Sequence, residues 1–267
     1  MFECLKTALE HPATIGMDLD DPFLTSMRRK IIDEKPFLQR IYEEWYNMIS
    51  AELPDRTGLV LEVGSGAAPG KKYVPELITS DVSPYPWVSM AADAQHLPFV
   101  KRSLRGIVMN NVLHHLPDPQ AFFREAERCV TDGGVIAMIE PWNTAWSRVV
   151  YKNLHHEPFD PGATSWCLNS SGPLSAANGA LPWILFHRDA DQFFSKNPGW
   201  RLEKRKVFMP FRYLVSGGVS LRNLAPLWSY QLWAGLESVL EPLNRYLGMF
   251  ALLVLRKHEV DEGRTRD

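Results

Sequence analysis

Along residues 36–50 the apolar side chains Phe37, Leu38, Ile41, Tyr42, Trp45, Tyr46, Met48 and Ile49 recur at intervals of three and four. That spacing predicts an amphipathic helix. Pro36 suits its first turn, and Pro54 stands just past its end. Residues 1–55 therefore read as an N-terminal helical layer, either packed on the remainder of the chain or closed over it as a lid.

From Leu59 the texture changes to short apolar runs. Leu59-Val60-Leu61-Glu62-Val63 ends at Gly64, and Leu77-Ile78-Thr79-Ser80-Asp81 ends in an acid. Gly106-Ile107-Val108-Met109-Asn110 and Val135-Ile136-Ala137-Met138-Ile139-Glu140 come next. Such runs predict parallel strands buried on both faces. Between the last two, residues 118–130 have helical spacing, opened by Asp118-Pro119 and closed by Gly133-Gly134. Strands alternating with helices predict an α/β, doubly wound sheet with helices on both faces.

After Glu140 the periodicity lapses over 141–186, a stretch rich in Trp, Asn, Ser, Gly and Pro. A helix is predicted near 189–196, and strands over 201–209 and 249–257. Between those strands lies an aromatic insertion, 210–248, in which residues 227–240 fit a helical stripe. The expected domain structure is thus a helical layer (1–55), an α/β domain (56–257) with insertions at 141–186 and 210–248, and a tail (258–267). The basic residues Arg201, Lys204, Arg205 and Lys206 read as a solvated strand edge.

Composition narrows the class. The 267 residues are 45% hydrophobic and 22% charged, which excludes a mainly disordered or collagenous chain. A net charge of −2 gives no broad electrostatic footprint for nucleic acid, so none is expected as a partner. Cys4, Cys129 and Cys167 are widely spaced and form no CxxC pair, as in ordinary reduced thiols. The N-terminus has no apolar core of a secretory signal, and the apolar stretch from Met249 to Leu255 is too short to span a bilayer. A cytoplasmic protein with no transmembrane segment is the expectation.

Four signals in fixed order carry the chemistry. Gly64-Ser65-Gly66 stands after the first strand, where glycines let a ligand approach the backbone at the carboxyl end of a sheet. Asp81, with Val82 after it, ends the next strand, seventeen residues past Gly64. A carboxylate there can accept both hydroxyls of a ribose. Asp93-Ala94 opens Asp93-Ala94-Gln95-His96-Leu97-Pro98-Phe99, where an acid could accept from an adenine amino group. Asn110-Asn111-Val112-Leu113-His114-His115-Leu116 comes after the third strand, and Glu140-Pro141 ends the fourth.

In this order the chain resembles the class I S-adenosylmethionine (SAM)-dependent methyltransferases, in the branch that reads LExGxG…D…DAxxLPF…LHHLxDP…GG…EP. The likeness is close over 59–141 and looser over 189–257. It implies a Rossmann-like, mostly parallel seven-stranded sheet with an antiparallel last strand. It implies SAM as cofactor, with Glu62, Gly64, Ser65 and Gly66 at the methionine part, Asp81 on the ribose, Asp93 and Ala94 at adenine, and Asn110 and Asn111 lining the methyl-transfer pocket. His115 is the histidine of the LHH signature.

Several positions depart from that pattern. The family's third glycine is Ala68, and Pro69, Gly70 and Pro75 leave room only for a short helix after the turn. The helix usual between Asp81 and Asp93 does not fit beside Pro84 and Pro86, and the acid that usually opens the fourth strand is Arg105. A nicotinamide enzyme is the natural competitor. Pro69, however, falls where the anion site would need an N–H, and that reading accounts for neither Asp93-Ala94 nor His114-His115.

His114 or His115 could be a general base, since an imidazole titrates near neutral pH. Equally, one could pack on the sheet while the other caps the pocket. In-line transfer from a sulfonium requires chiefly alignment. His155-His156-Glu157, with His187, invites a metal reading, but the spacing fits no helical or zinc-ribbon ligand set, so no metal is assigned. The tract Phe159 to Ala180 reads as a loop able to cover a substrate. Region 210–248 reads as core or lid, or as an oligomer or membrane-surface face meeting a lipid-linked substrate.

The expected activity is methyl transfer from SAM to a small-molecule or glycan- or lipid-linked acceptor. The alternative is a SAM-fold subunit that binds without catalysis.

Overall fold

Seven strands form one sheet in the computed structural model, which describes residues 9–155, 157–168, 172 and 175–258. They are β1 (Leu59–Val63), β2 (Leu77–Asp81), β3 (Met90–Ala91), β4 (Leu104–Asn110), β5 (Val130–Pro141), β6 (Trp200–Phe208) and β7 (Phe250–Lys257). The spatial order is β3-β2-β1-β4-β5-β7-β6. Pairs from β3 through β5 are parallel, and β7 is antiparallel to both its neighbours. The sheet is thus the doubly wound one expected, with its last strand reversed. Connection order reverses between β1 and β4, which opens the crevice where such sheets take ligands. Cys4, His156, Ser170, Ser171, Pro173, Leu174 and residues 259–267 lie outside the described residues.

The apolar runs reflect burial on both faces. In β5, Val135, Ala137 and Ile139 join one core while Ile136 and Met138 join the other. In β7, Phe250, Leu252 and Val254 alternate in the same way with Ala251, Leu253 and Leu255. The first core is closed by helix α2 (Pro36–Ser50), preceded by α1 (Pro22–Glu34). The predicted stripe of α2 is buried from Phe37 to Ile49 apart from Met48, which is half-buried. The second core is closed by α3 (Pro119–Cys129), whose Phe122, Phe123 and Ala126 face the sheet. Strand β6 is an edge, and Arg201, Lys204, Arg205 and Lys206 are exposed along it.

Local readings needed correction in four places. Asp118 caps α3 by accepting from Ala121 N, but the helix ends at Cys129 and runs directly into β5. Gly133 and Gly134 do not close it. They form a bulge inside the strand, where pairing to β4 jumps from Leu104↔Val130 to Gly106↔Val135. A Cβ on Gly134 would lie 2.5 Å from Val130 Cγ1, so the bulge requires glycine.

The stretch 141–186 is not without secondary structure. Helix α4 (Ala145–Leu154) starts at a capping box in which the Thr144 and Ser147 side chains each accept from the other's backbone N–H. A turn of helix at Leu181–Trp183 also leads through a wide turn into α5 (Ala190–Lys196), so helix begins ahead of Asp189. Finally, two-residue β3 supplies the seventh strand, too short to show a period. Only four helical residues, Gly70–Tyr73, come after the glycine turn, as the prolines required.

In 210–248, helix α6 (Tyr230–Val239) is amphipathic in an unexpected sense. Tyr230 and Glu237 face inward, whereas Leu227, Trp228, Leu232, Leu236 and Val239 are exposed. Most of the predicted stripe is therefore surface and not core. The insertion is held by Arg212, which donates to Glu44 of α2, to Glu237 of α6 and to the Tyr230 hydroxyl.

Candidate functional site

The loops after β1, β2, β4 and β5 converge on a cavity of about 700 Å³, within the size range of cofactor and small-ligand sites. Its floor begins at the β1 turn. Gly64 adopts φ +64°, and a Cβ there would lie 2.6 Å from Val112 Cγ1, so no other residue fits without displacing the β4 loop. Gly66, at φ +43°, donates its N–H to Asp81 Oδ2 at 2.9 Å. The second Asp81 oxygen accepts from Ser83 N at 3.0 Å. Burial raises the Asp81 carboxyl, and these N–H bonds oppose that rise. Trp87 Nε1 donates to Gly66 O at 2.7 Å, and its ring stacks on Tyr85.

Glu62 occupies a different place from the other sequence-selected residues. Its side chain lies beneath the turn and not on the cavity wall, accepting from Ser65 Oγ at 2.9 Å and from the Tyr46 hydroxyl. A Cβ on Gly70 would meet Glu62 Oε2, so the short helix after the turn must begin with glycine to clear it. Burial pushes Glu62 up to about 7, against the opposing pull of its hydrogen bonds from Tyr46 and Ser65. It joins the glycine turn to α2 from behind.

Gly64, Ser65, Gly66, Asp81, Val82, Asp93, Ala94, Asn110, Asn111, His114 and His115 all line the one cavity. Asp93 accepts from Gln95 N at 2.8 Å and lies 3.1 Å from His96 Nδ1. Burial acts to raise its carboxyl, but these bonds outweigh it and hold the group low. Asn110 accepts from Asn111 Nδ2 at 2.8 Å, while its own buried Nδ2 has no hydrogen-bond partner among the described residues. Asn111 sits at φ +58°, a left-handed turn that asparagine tolerates.

The histidines diverge. Glu140, fully buried, accepts from Val112 N at 2.8 Å and Leu113 N at 2.7 Å, and its other oxygen lies 2.6 Å from His114 Nδ1. His114 also faces Glu157 at 3.3 Å. Burial opposes protonation of His114, but the two flanking carboxylates prevail and push it up to about 9. Both ring nitrogens of His114 are engaged by carboxylates, and of the pair His115 is the ring placed for general-base work. His115 Nδ1 lies 3.2 Å from Ala176 O and its Nε2 lies 3.5 Å from Glu157 Oε1.

The far wall comes from outside the motifs. Residues 14–21, Leu24, Thr25 and Arg28 approach from the N-terminal layer, Tyr151 and Glu157 from the first insertion, and Tyr213 with residues 217–221 from the second. Two backbone bonds stitch the N-terminal segment to the second insertion, His11 N to Ser220 O and Arg222 N to Leu9 O. Lys35 ties the same loop by donating to the carbonyls of Ser216, Gly218 and Leu221. Burial lowers that ammonium to about 8. Sequence reasoning assigns none of Arg28, Tyr151, Glu157 or Lys35 to the site. Glu140 is legible as the end of a strand, but its role as the clamp on the His114 turn is not.

The residues present fit an adenosyl ligand with an amino-acid end. The cradle at Gly64 and Gly66 excludes side chains, Asp81 offers carboxylate oxygens beside it, and Asn110 has an unused buried donor. The methyltransferase-domain family pattern matches residues 61–138. Against the curated proteins the chain has no match. Among solved structures it is similar to a methyltransferase chain from the complex with the Haloferax volcanii Trm112 methyltransferase activator, at TM-score 0.54 and 13% identity over 91% of this chain and 99% of that one. It is also similar to a SAM-dependent methyltransferase from Thermotoga maritima, at TM-score 0.51 and 13% identity over 88% and 99%. A third is the SAM-dependent methyltransferase from Archaeoglobus fulgidus, at TM-score 0.50 and 15% identity over 82% and 94%. At these identities the structural likeness is one of fold.

Proposed function

We propose that this chain, whose residues 61–138 match the methyltransferase-domain family, is a class I SAM-dependent methyltransferase that methylates an acceptor entering beneath the wall formed by 14–28 and 213–221. The observation that carries this reading is the cavity in which the glycine cradle and Asp81 face a wall supplied by other parts of the chain. When bound, SAM supplies a methyl group on a sulfonium, a good leaving group. Asp81 holds the ribose hydroxyls, Asp93 with Ala94 reads the adenine edge, and Asn110 donates to the methionine carboxylate. Glu62 is a positioning residue, keeping Ser65 and the turn in place from behind. His115 faces the acceptor and takes the proton that a hydroxyl, amine or acidic carbon releases. Alignment of acceptor and methyl accounts for most of the rate.

The acceptor we favour is a small molecule or glycan head carried on a lipid. Leu227, Trp228, Leu232, Leu236 and Val239 form an exposed apolar face on the same insertion that supplies residues 217–221 to the cavity. Such a face suits contact with a membrane surface on the cytoplasmic side. No helix among the described residues is long and apolar enough to cross a membrane. A second reading gives that face to a protein partner or to another copy of this chain, since the Haloferax relative is found with an activator.

Calorimetric titration with SAM, S-adenosylhomocysteine and NAD tests the cofactor assignment. Micromolar adenosyl-ligand binding without NAD binding is expected, and Asp81→Ala should weaken it at least tenfold. Binding of none of the three would favour a non-catalytic interaction subunit, and binding of NAD alone would overturn the reading. Co-sedimentation with vesicles containing anionic lipid, compared with light scattering of free protein, separates membrane from oligomer use of the apolar face.

A further inference from the structure

The fold brings together residues that sequence spacing kept apart. Glu157 of the first insertion projects between the paired histidines beyond β4, and the three ligand-type atoms lie within 4.8 Å of one another. We propose that His114, His115 and Glu157 form a site for a divalent transition metal on the cavity wall. This goes beyond methyl transfer: with the ion bound His115 is a ligand, and the general-base role of that ring belongs to the metal-free form.

Each imidazole is anchored on one nitrogen and left facing Glu157 with the other. His114 Nδ1 is 2.6 Å from Glu140, and His115 Nδ1 is 3.2 Å from Ala176 O. That is how metal-ligating histidines are oriented, with a carboxylate or carbonyl behind the ring. On the open side the spacing is wider. His114 Nε2 is 3.3 Å from Glu157 Oε2, and His115 Nε2 is 3.5 Å from Glu157 Oε1. A charge-assisted hydrogen bond closes to about 2.7–2.9 Å, and the His114–Glu140 contact is shorter still. Two ligands sharing a tetrahedral ion through bonds of about 2.0–2.1 Å stand about 3.4 Å apart.

The rings are tilted by 40° with centroids 4.3 Å apart, so neighbours in sequence need not compete for the same point. Their adjacency is made workable by the tight 3-10 turn at Leu113–His115, which Glu140 clamps through Val112 N and Leu113 N. Two imidazoles and one carboxylate make a borderline donor set, suited to Zn²⁺, Co²⁺ or Fe²⁺ and poorly matched to Mg²⁺ or Ca²⁺. Three protein ligands leave at least one position for water or for an acceptor oxygen, and all three residues line the cavity. His155 Nδ1 accepts from Glu157 N at 3.3 Å and lies 3.7 Å from Glu157 Oε2, beside the set and not within it.

The test uses the full chain stripped with a chelator and titrated with Co²⁺, read by visible absorption, with Zn²⁺ as competitor. One Co²⁺ per chain with an intense band characteristic of tetrahedral coordination, displaced by Zn²⁺, is expected. Glu157→Gln and His115→Ala should each lower Co²⁺ affinity at least tenfold, and Glu140→Gln by about ten- to a hundredfold through loss of the support behind His114. Should Glu157→Gln fail to fold, His115→Ala decides alone, because the support behind that ring is a backbone carbonyl and not a buried charge. Absence of stoichiometric Co²⁺ uptake by wild type would overturn the proposal and leave the cluster an internal ion-pair network. Uptake that both variants retain would overturn it too. Titration of the same samples with S-adenosylhomocysteine reports the cofactor site separately, so failure of one assignment is not mistaken for failure of the other.

Discussion

The two walls of the cavity are built by different means. The sheet-side wall comes from a few residues at the ends of β1, β2 and β4, and each is set by something local: a positive φ at Gly64 and Gly66, a strand end at Asp81, a left-handed Asn111. The opposite wall is assembled from residues 14–28, Tyr151, Glu157 and 217–221, which approach from three distant parts of the chain. It is held by Lys35 on the carbonyls of the 216–221 loop and by Arg212 between Glu44 and Glu237. A wall made by local backbone geometry can be read off a short motif. A wall made by packing and ion pairs across long separations cannot, because those contacts have no period or spacing in the chain.

The contrast can be broken hardest at Arg212. Its guanidinium is buried against Glu237 and reaches the partly exposed Glu44, so Arg212→Ala leaves the buried Glu237 carboxylate without its counter-charge, a change that costs about 3–5 kcal/mol. Chemical denaturation should show that loss, while affinity for S-adenosylhomocysteine in the protein that remains folded changes less than tenfold, because the sheet-side wall does not depend on Arg212. Gly64→Val attacks the other wall. It places a branched side chain at φ +64° and against Val112, and should reduce S-adenosylhomocysteine affinity about a hundredfold, near 2.7 kcal/mol. If each variant produced the other's phenotype, the separation of the walls would be wrong.

Glu62 sharpens the comparison through pH. Its folded carboxyl is raised by burial from 4.5 to about 7. The native state therefore holds a proton that the unfolded chain has released between those values. Stability falls as pH rises through that window, by up to about 1.4 kcal/mol per pH unit from this group alone, and then levels off. Glu62→Gln should flatten the melting-temperature profile between pH 5 and 7 relative to wild type. An unchanged slope would mean that another group dominates. The smallest stability effect is expected at Trp228, 76% exposed. Trp228→Ser should alter stability by no more than about 0.5 kcal/mol, yet remove vesicle binding if the apolar face meets a membrane.

Much of the fold is legible because burial on both faces writes itself into the sequence as uninterrupted apolar runs. Strands β1, β2, β4, β5 and β7 are all visible in this way. Strand β3 is not, since two residues cannot show a period, and helix α4 is hidden by the composition around it although its Thr144 and Ser147 box stands in the chain. Helix α6 is visible as a stripe, but its orientation is not. An apolar stripe looks the same in sequence whether it faces a core or solvent, and only the inward hydrogen bonds of Arg212 with Glu237 and Tyr230 show which side is buried.

Residue order alone determined most of the sheet and the positions that line the crevice, because strand burial and glycine turns are properties of neighbouring residues, while the cofactor class came from the family resemblance of those motifs. Tertiary structure alone decided that Glu62 supports the turn from behind, that Glu140 clamps His114, and that Glu157 reaches both histidines across a separation of more than forty residues. Those roles arise where charges are buried. A buried carboxylate must find its partners in space, and space, unlike sequence, is shared by residues far apart along the chain.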